Sequence, residues 1–305
     1  MRRAALALGL ALATPAQAET QCERLWSRLS GALADGAAIS GKVSPARIAG
    51  CLVTDIFVDL PGRHVPDWHA DSLHLLGATD WLAGGGTPPD RLEARLTNLR
   101  VVVGTGHPQL DYLHGAQARA TPIQVSARIG WEAGARVLAL EALEVDFPGE
   151  NRLGLSARLS GVDLSSAAAM QMSLGGFALT EAMLEVQSHG FFESYLLMPL
   201  GAAFLPESGD VPAAAEALRN EALAGIAALP DAVVPGPSRA ALAALVEELP
   251  NPSGRLRVEM SAEPGLGPLR LAGPVLTGMP RTVEAAGALL QGVRFDIAWT
   301  HEPAP

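Results

Sequence analysis

Between about residues 50 and 188, apolar and polar residues alternate with a period of two. Ile123, Val125, Ala127, Ile129 and Trp131 interleave with Gln124, Ser126, Arg128 and Gly130. Leu153, Leu155, Ala157 and Leu159 interleave with Gly154, Ser156, Arg158 and Ser160. Successive side chains of a strand point to opposite faces, so each run predicts a half-buried strand, dry on one face and wet on the other. The breaks are short, EAGA at 132–135 and PGEN at 148–151, which predicts antiparallel neighbours joined by hairpins instead of crossover helices. In RLEARLTNLRVVVG the apolar phase slips between Leu96 and Leu99, which predicts a bulge or bend. FVDLPG (57–62) and EVDFPG (144–149) close two such runs with the same pattern, either a repeated sheet unit or a coincidence of a strand-rich chain.

After GFFESYLLMP (190–199) the period changes. Leu218, Ala222, Ile226 and Leu229 fall on one helical face, with Pro212 in the first turn. Leu242, Leu245, Val246 and Leu249 do the same and stop at Pro250. Alternation returns at Leu256, Val258, Met260 and Ala262; a short helix is expected around 281–291, then a last strand through Val293, Phe295, Ile297 and Trp299. Near the start, Cys22, Leu25, Trp26, Leu29 and Leu33 recur at helical spacing. Helices this short must lie on something. The expected fold is α+β: a mainly antiparallel curved β-sheet, a helical segment at about 211–249 packed against it, and C-terminal strands. The expected organisation is a signal peptide (1–18), an N-terminal helix and loop (19–49) stapled by a disulfide, and a single β-rich domain (50–305) carrying the helical insertion 211–249.

The opening MRRAALALGLALATPAQAET sets the compartment. Arg2 and Arg3 precede an apolar run of about ten residues and a small-x-small site, so cleavage is expected between Ala18 and Glu19. No later stretch approaches the roughly 18 apolar residues of a membrane-spanning helix, so no transmembrane anchor is expected after cleavage. Losing Arg2 and Arg3 leaves 20 basic residues against 32 acidic, net −12, which excludes the electrostatic footprint of a nucleic-acid binder. Lys42 is the only lysine, an arginine bias typical of GC-rich bacterial coding, and the periplasm is the expected location. There the two cysteines, Cys22 and Cys51, read as a disulfide, since they lack the C-x-x-C spacing of a redox pair.

Motifs that resemble chemistry are incomplete. GAAISGKVS (36–44) nearly spells a phosphate-binding loop, but Val43 stands where the magnesium-binding hydroxyl belongs, and a plain loop before a strand is expected. His64, His69 and His74 are five apart, a spacing that alternates the faces of a strand and does not converge on a metal. His107, Asp111 and His114, and the pair Ser188–His189, lack a G-x-S-x-G elbow or an H-E-x-x-H helix. Asp59 and Asp146 read as turn residues. No cofactor or metal is expected, and a hydrolase is the least favoured reading.

Three of the fourteen aromatic residues, Phe191, Phe192 and Tyr195, crowd into GFFESYLLMP. With Leu196 they read either as a clamp between sheet and helices or as the mouth of an apolar groove that binds an acyl chain or another protein. The order LGLSARLSGVDLSS, FALTEAMLEVQSHGFFESYLL, an Ala/Leu-rich helical stretch and LPNPSGRLRVEMSAEPGLGPLRL resembles bacterial envelope proteins distantly similar to the AsmA-like proteins of the Gram-negative periplasm. The resemblance covers about residues 45–300. It implies curved antiparallel sheets forming a groove associated with lipid traffic. Without a membrane tether, the expectation is a non-enzymatic periplasmic protein binding lipid or another apolar ligand in a β-sheet groove. The alternative is a structural or interaction protein of the envelope with an envelope protein as partner and no small ligand.

Overall fold

The computed structural model describes residues 20–32, 36–47, 50–61, 66–77, 81, 88–102, 104–268, 270 and 290–303. The expected signal peptide with its Ala18–Glu19 junction, Leu33, His64 and most of the helix expected at 281–291 lie outside the described residues.

The alternating runs form ten strands of one open, curved antiparallel sheet, and the class is α+β. They are β1 (Ala38–Pro45), β2 (Cys51–Asp59), β3 (Asp67–Leu76), β4 (Arg91–Val102), β5 (Ile123–Glu132), β6 (Val137–Phe147), β7 (Asn151–Ser160), β8 (Ala178–His189), β9 (Ser253–Leu266) and β10 (Val293–His301). Their order in space is their order in the chain. The expected slip is present: the β4–β5 register shifts between Leu96 and Leu99, with Asn98 at φ 54°. A similar extra residue sits in β2, where Asp55 has φ 57°. Further register shifts occur in the β5–β6, β6–β7, β7–β8 and β8–β9 pairings, and such bulges bend a sheet.

Helix α1 (Gln21–Gly31) starts at a capping box of Thr20 and Glu23 and buries Cys22 and Leu25. Cys22 is bonded to Cys51 at the start of β2, with Cα atoms 5.5 Å apart. Leu29, expected on the packed face, is exposed instead. The loop expected after α1 needs correction as well: residues 38–45 form β1, the edge of the sheet, because Ile39 and Val43 pair with Val58 and Val53 on the face that α1 covers.

Helix α2 (Pro108–Ala120) joins β4 to β5, and α3 (Ala167–Ser173) joins β7 to β8. Between β8 and β9 come a π turn (Phe192–Leu196), α4 (Leu197–Phe204), α5 (Val211–Ala227) and α6 (Gly236–Glu248). The helical segment thus falls where expected. Helix α6 packs on β10 and α5 on α6. The β10 edge is closed by polar contacts: Phe295 N donates to the Val233 carbonyl at 2.7 Å, and Ile297 N to Ser238 Oγ at 2.9 Å. Half of the face expected for α5 is wet, since Leu218 and Ala222 are exposed while Ile226 and Leu229 are half-buried. Among the described residues, that helix packs chiefly on the neighbouring α6.

Candidate ligand-binding face

Residues directly opposite in neighbouring strands share a face, so the pairing fixes what each face carries. One row runs through all ten strands as Val43, Val53, Leu73, Leu96, Val125, Val145, Leu153, Val186, Leu256 and Trp299. The next row is Pro45, Cys51, Leu75, Ala94, Ala127, Leu143, Leu155, Leu184, Val258 and Ile297. A third crosses β4 to β10 as Leu92, Ile129, Leu140, Ala157, Ala182, Met260 and Phe295. None of the three contains a charge. On the other face, the row through His74, Arg95, Ser126, Glu144, Gly154, Glu185 and Arg257 is predominantly polar.

What covers the apolar face lies at its margins. Helix α1 seals the β1–β3 end, where Leu25, Cys51, Val53 and Leu75 are buried. At the other margin, Trp299 Nε1 donates to Glu248 of α6 at 2.8 Å. Between them, in β4 to β8, both ten-strand rows stay half-buried at every position. No helix packs on β5, β6 or β7 to a comparable extent among the described residues. Four strand spacings separate β4 from β8, so the half-buried stripe is about 19 Å long across the strands.

The GFFESYLLMP residues divide between the two readings. Gly190, at φ 85°, turns the chain out of β8. Phe191 is buried, its ring 5.0 Å from Phe147 at the end of β6 and 5.3 Å from Tyr195. Phe147 and Tyr195 complete the triangle at 4.9 Å. Phe192 is half-buried, whereas Tyr195 and Leu196 are both exposed at 37%. Partial burial pushes the Tyr195 phenol up from its ordinary value. Phe147 follows Val145 on the apolar face, so the aromatic triangle continues that face beyond the strand ends. The sequence reading of the site missed the rows themselves and the exposed side chains of α4; the signal for the rows was the alternation it had already used to assign strands.

The polar face is occupied with itself. Lys42, Asp55, His69, Asp71, Asn98, Arg100 and Gln124 form a ladder across β1 to β5, with Lys42–Asp55 at 3.1 Å, His69–Asp55 at 3.3 Å and Arg100–Asp71 at 2.7 Å. Gln124 Nε2 donates to Asn98 Oδ1 at 2.8 Å. His69 and His74 face the same side, contrary to simple alternation, because the shift around Asp71 resets the phase: Ala70 and Leu73 both face the apolar side. No His, Cys, Asp and Glu cluster with metal-holding geometry occurs among the described residues. Lys42, on edge strand β1, pairs with Asp55 of β2. A cleft of about 490 Å³ opens on this polar face over β6–β10, lined among others by Arg158, Glu181, Glu259 and Asp296. Its charges suit it poorly to an acyl chain.

The hydrolase reading meets one arrangement of the right residue types. Ser188 turns away from His189 and donates to the Pro252 carbonyl at 3.0 Å. His189 Nδ1 lies 3.3 Å from Ser253 Oγ, and its Nε2 lies 4.0 Å from Glu302. The hydrogen bonds run the wrong way for catalysis. Gln187 Nε2 lies 3.3 Å from His189 Nε2. Ser253 donates to the Glu302 carbonyl at 2.6 Å. A serine nucleophile gives its proton to the imidazole. These contacts instead clasp the ends of β8, β9 and β10. Asp111 likewise serves its own loop, accepting from Thr105 N and Oγ1 at 2.7 Å each. No protein-family model matches the chain, and no curated protein matches it.

Proposed function

We propose that this chain is an exported, non-enzymatic protein of the bacterial envelope that holds a lipid acyl chain against the bare rows of its sheet. One observation carries the reading: two charge-free apolar rows cross all ten strands, and among the described residues the helices that pack on them lie at their margins. Contiguous apolar surface that faces solvent marks a site for a ligand, a membrane or another protein. Its length across the strands matches that of a long acyl group, and the Cys22–Cys51 bond fits an oxidising compartment such as the periplasm. The similarity in segment order to AsmA-like envelope proteins points the same way.

The test is binding of a fluorescent long-chain fatty acid, with native mass spectrometry of the purified protein for retained lipid. Leu155→Asp places a carboxylate at the centre of the stripe, where desolvating it under an acyl chain costs at least about 1.4 kcal/mol, so affinity falls about tenfold or more. Leu155 is only half-buried, so the variant still folds, as its melting curve checks. Equal binding by the variant, or none by the wild type, sinks the proposal.

A further inference from the structure

Helix α4 differs from every other helix described, because no side chain on it is polar. Its sequence is LMPLGAAF, and every residue except Gly201 is exposed. Met198 is 79% exposed and Phe204 64%. Leu197, Met198, Leu200 and Phe204 span about 160° of its circumference at 100° per residue, and Ala202, Ala203 and Pro199 fill the remainder. Its principal neighbour is the π turn from which it springs. A helix seated in a protein groove keeps a polar outer side; one that is apolar all round is suited to surroundings that are apolar all round.

We infer that α4 is an interfacial anchor that enters the outer part of a neutral lipid leaflet. At eight residues it is about 12 Å long, far short of the roughly 30 Å needed to cross a bilayer. Residues 194–206 carry no charge, and Glu193 and Glu207 bracket them, which sets the depth of entry. Both tyrosines of the chain lie at this end of the sheet: Tyr195 at the base of α4, and Tyr112 on α2, 70% exposed beside the exposed Leu110 and Leu113. Tyrosine favours the level where hydrocarbon meets headgroups. With no Lys or Arg in the segment and an acidic chain behind it, attraction to anionic lipid is excluded as the driving force, so the surface fits zwitterionic lipid. The inference deepens the lipid-holding proposal and rests on it in one respect: the Phe147–Phe191–Tyr195 triangle links α4 to the apolar rows, giving an acyl chain a dry path between leaflet and sheet.

The experiment is co-flotation of the full chain with phosphatidylcholine vesicles, against the double variant Met198→Glu/Phe204→Glu. The wild type should float at low and high salt alike, and the variant's bound fraction should fall about tenfold or more. The variant should keep its fatty-acid binding in solution, whereas Leu155→Asp should lose that binding and still float, so the two readings fail separately. If the double variant does not fold, Met198→Glu alone gives the comparison, because that side chain lies almost wholly in solvent. Equal flotation of variant and wild type, no flotation of the wild type, or flotation only on anionic vesicles overturns the inference. So does loss of a specific protein partner in the variant without any flotation, which would assign α4 to a protein interface.

Discussion

Asp71 accepts hydrogen bonds from Asn98 Nδ2 and Arg100 Nη1, each at 2.7 Å, and these hold its carboxyl below the ordinary value of 3.8. A carboxyl lowered in the folded state is protonated first in the unfolded chain. Its contribution to stability is therefore complete above 3.8 and is lost as pH falls through the lower folded value. The melting temperature of the wild type should decline between about pH 5 and 2, and Asp71→Asn, which cannot titrate, should flatten that decline. An unchanged acid limb in the variant would show that Asp71 contributes nothing to it. At this scale the amino-acid sequence was legible in part. It identified Cys22 and Cys51 as a pair because, in a chain expected to be exported, two cysteines leave one pairing. The Asp71 ladder was invisible, since its contacts join residues up to 29 positions apart through pairings that only the assembled sheet defines.

The strands themselves were legible, because a period of two survives every neighbour a strand can have. The Leu96–Leu99 bulge was legible for the same reason, as a break in that period. Strand β1 was not, because AISGKVSP mixes small and polar residues and carries Gly41, where a Cβ would come within 2.7 Å of Val53. Those same features protect it. An open sheet exposes unpaired N–H and C=O groups along its edges, and natural edges are blunted with lysine, bulges and proline. The chain's single lysine, Lys42, stands on β1 beside the register shift at Gly41, with Pro45 closing the strand. Replacing Lys42 with valine should move the protein toward larger species in size-exclusion chromatography at raised concentration. A profile identical to the wild type would mean that the edge is guarded by something else. Helix α4 escaped the sequence reading because an apolar helix and a core helix look the same until their surroundings are known.

For the whole molecule, stability is divided among small cores that, among the described residues, sit at the margins of a sheet whose middle is only half-buried. One of these cores joins Cys22, Leu25, Cys51 and Leu75, and the disulfide holds α1 over it. Its loop spans 29 residues, worth about 3 kcal/mol in the chain-entropy picture, so Cys51→Ser should lower the melting temperature by several degrees. No change in oxidising buffer would mean the bond contributes little. The strict chain-order layout of the sheet has a consequence for how the protein is made. Every strand up to β8 can zip onto its immediate predecessor as soon as both have emerged into the compartment where the chain folds, since the pairing needs only a nearby segment and little loop entropy. The ninth must wait for residues 190–252 to be synthesised and arranged. Until then β8 presents a raw hydrogen-bonding border with hydrocarbon-rich α4 beside it, so the growing polypeptide is most in need of a guardian during that interval.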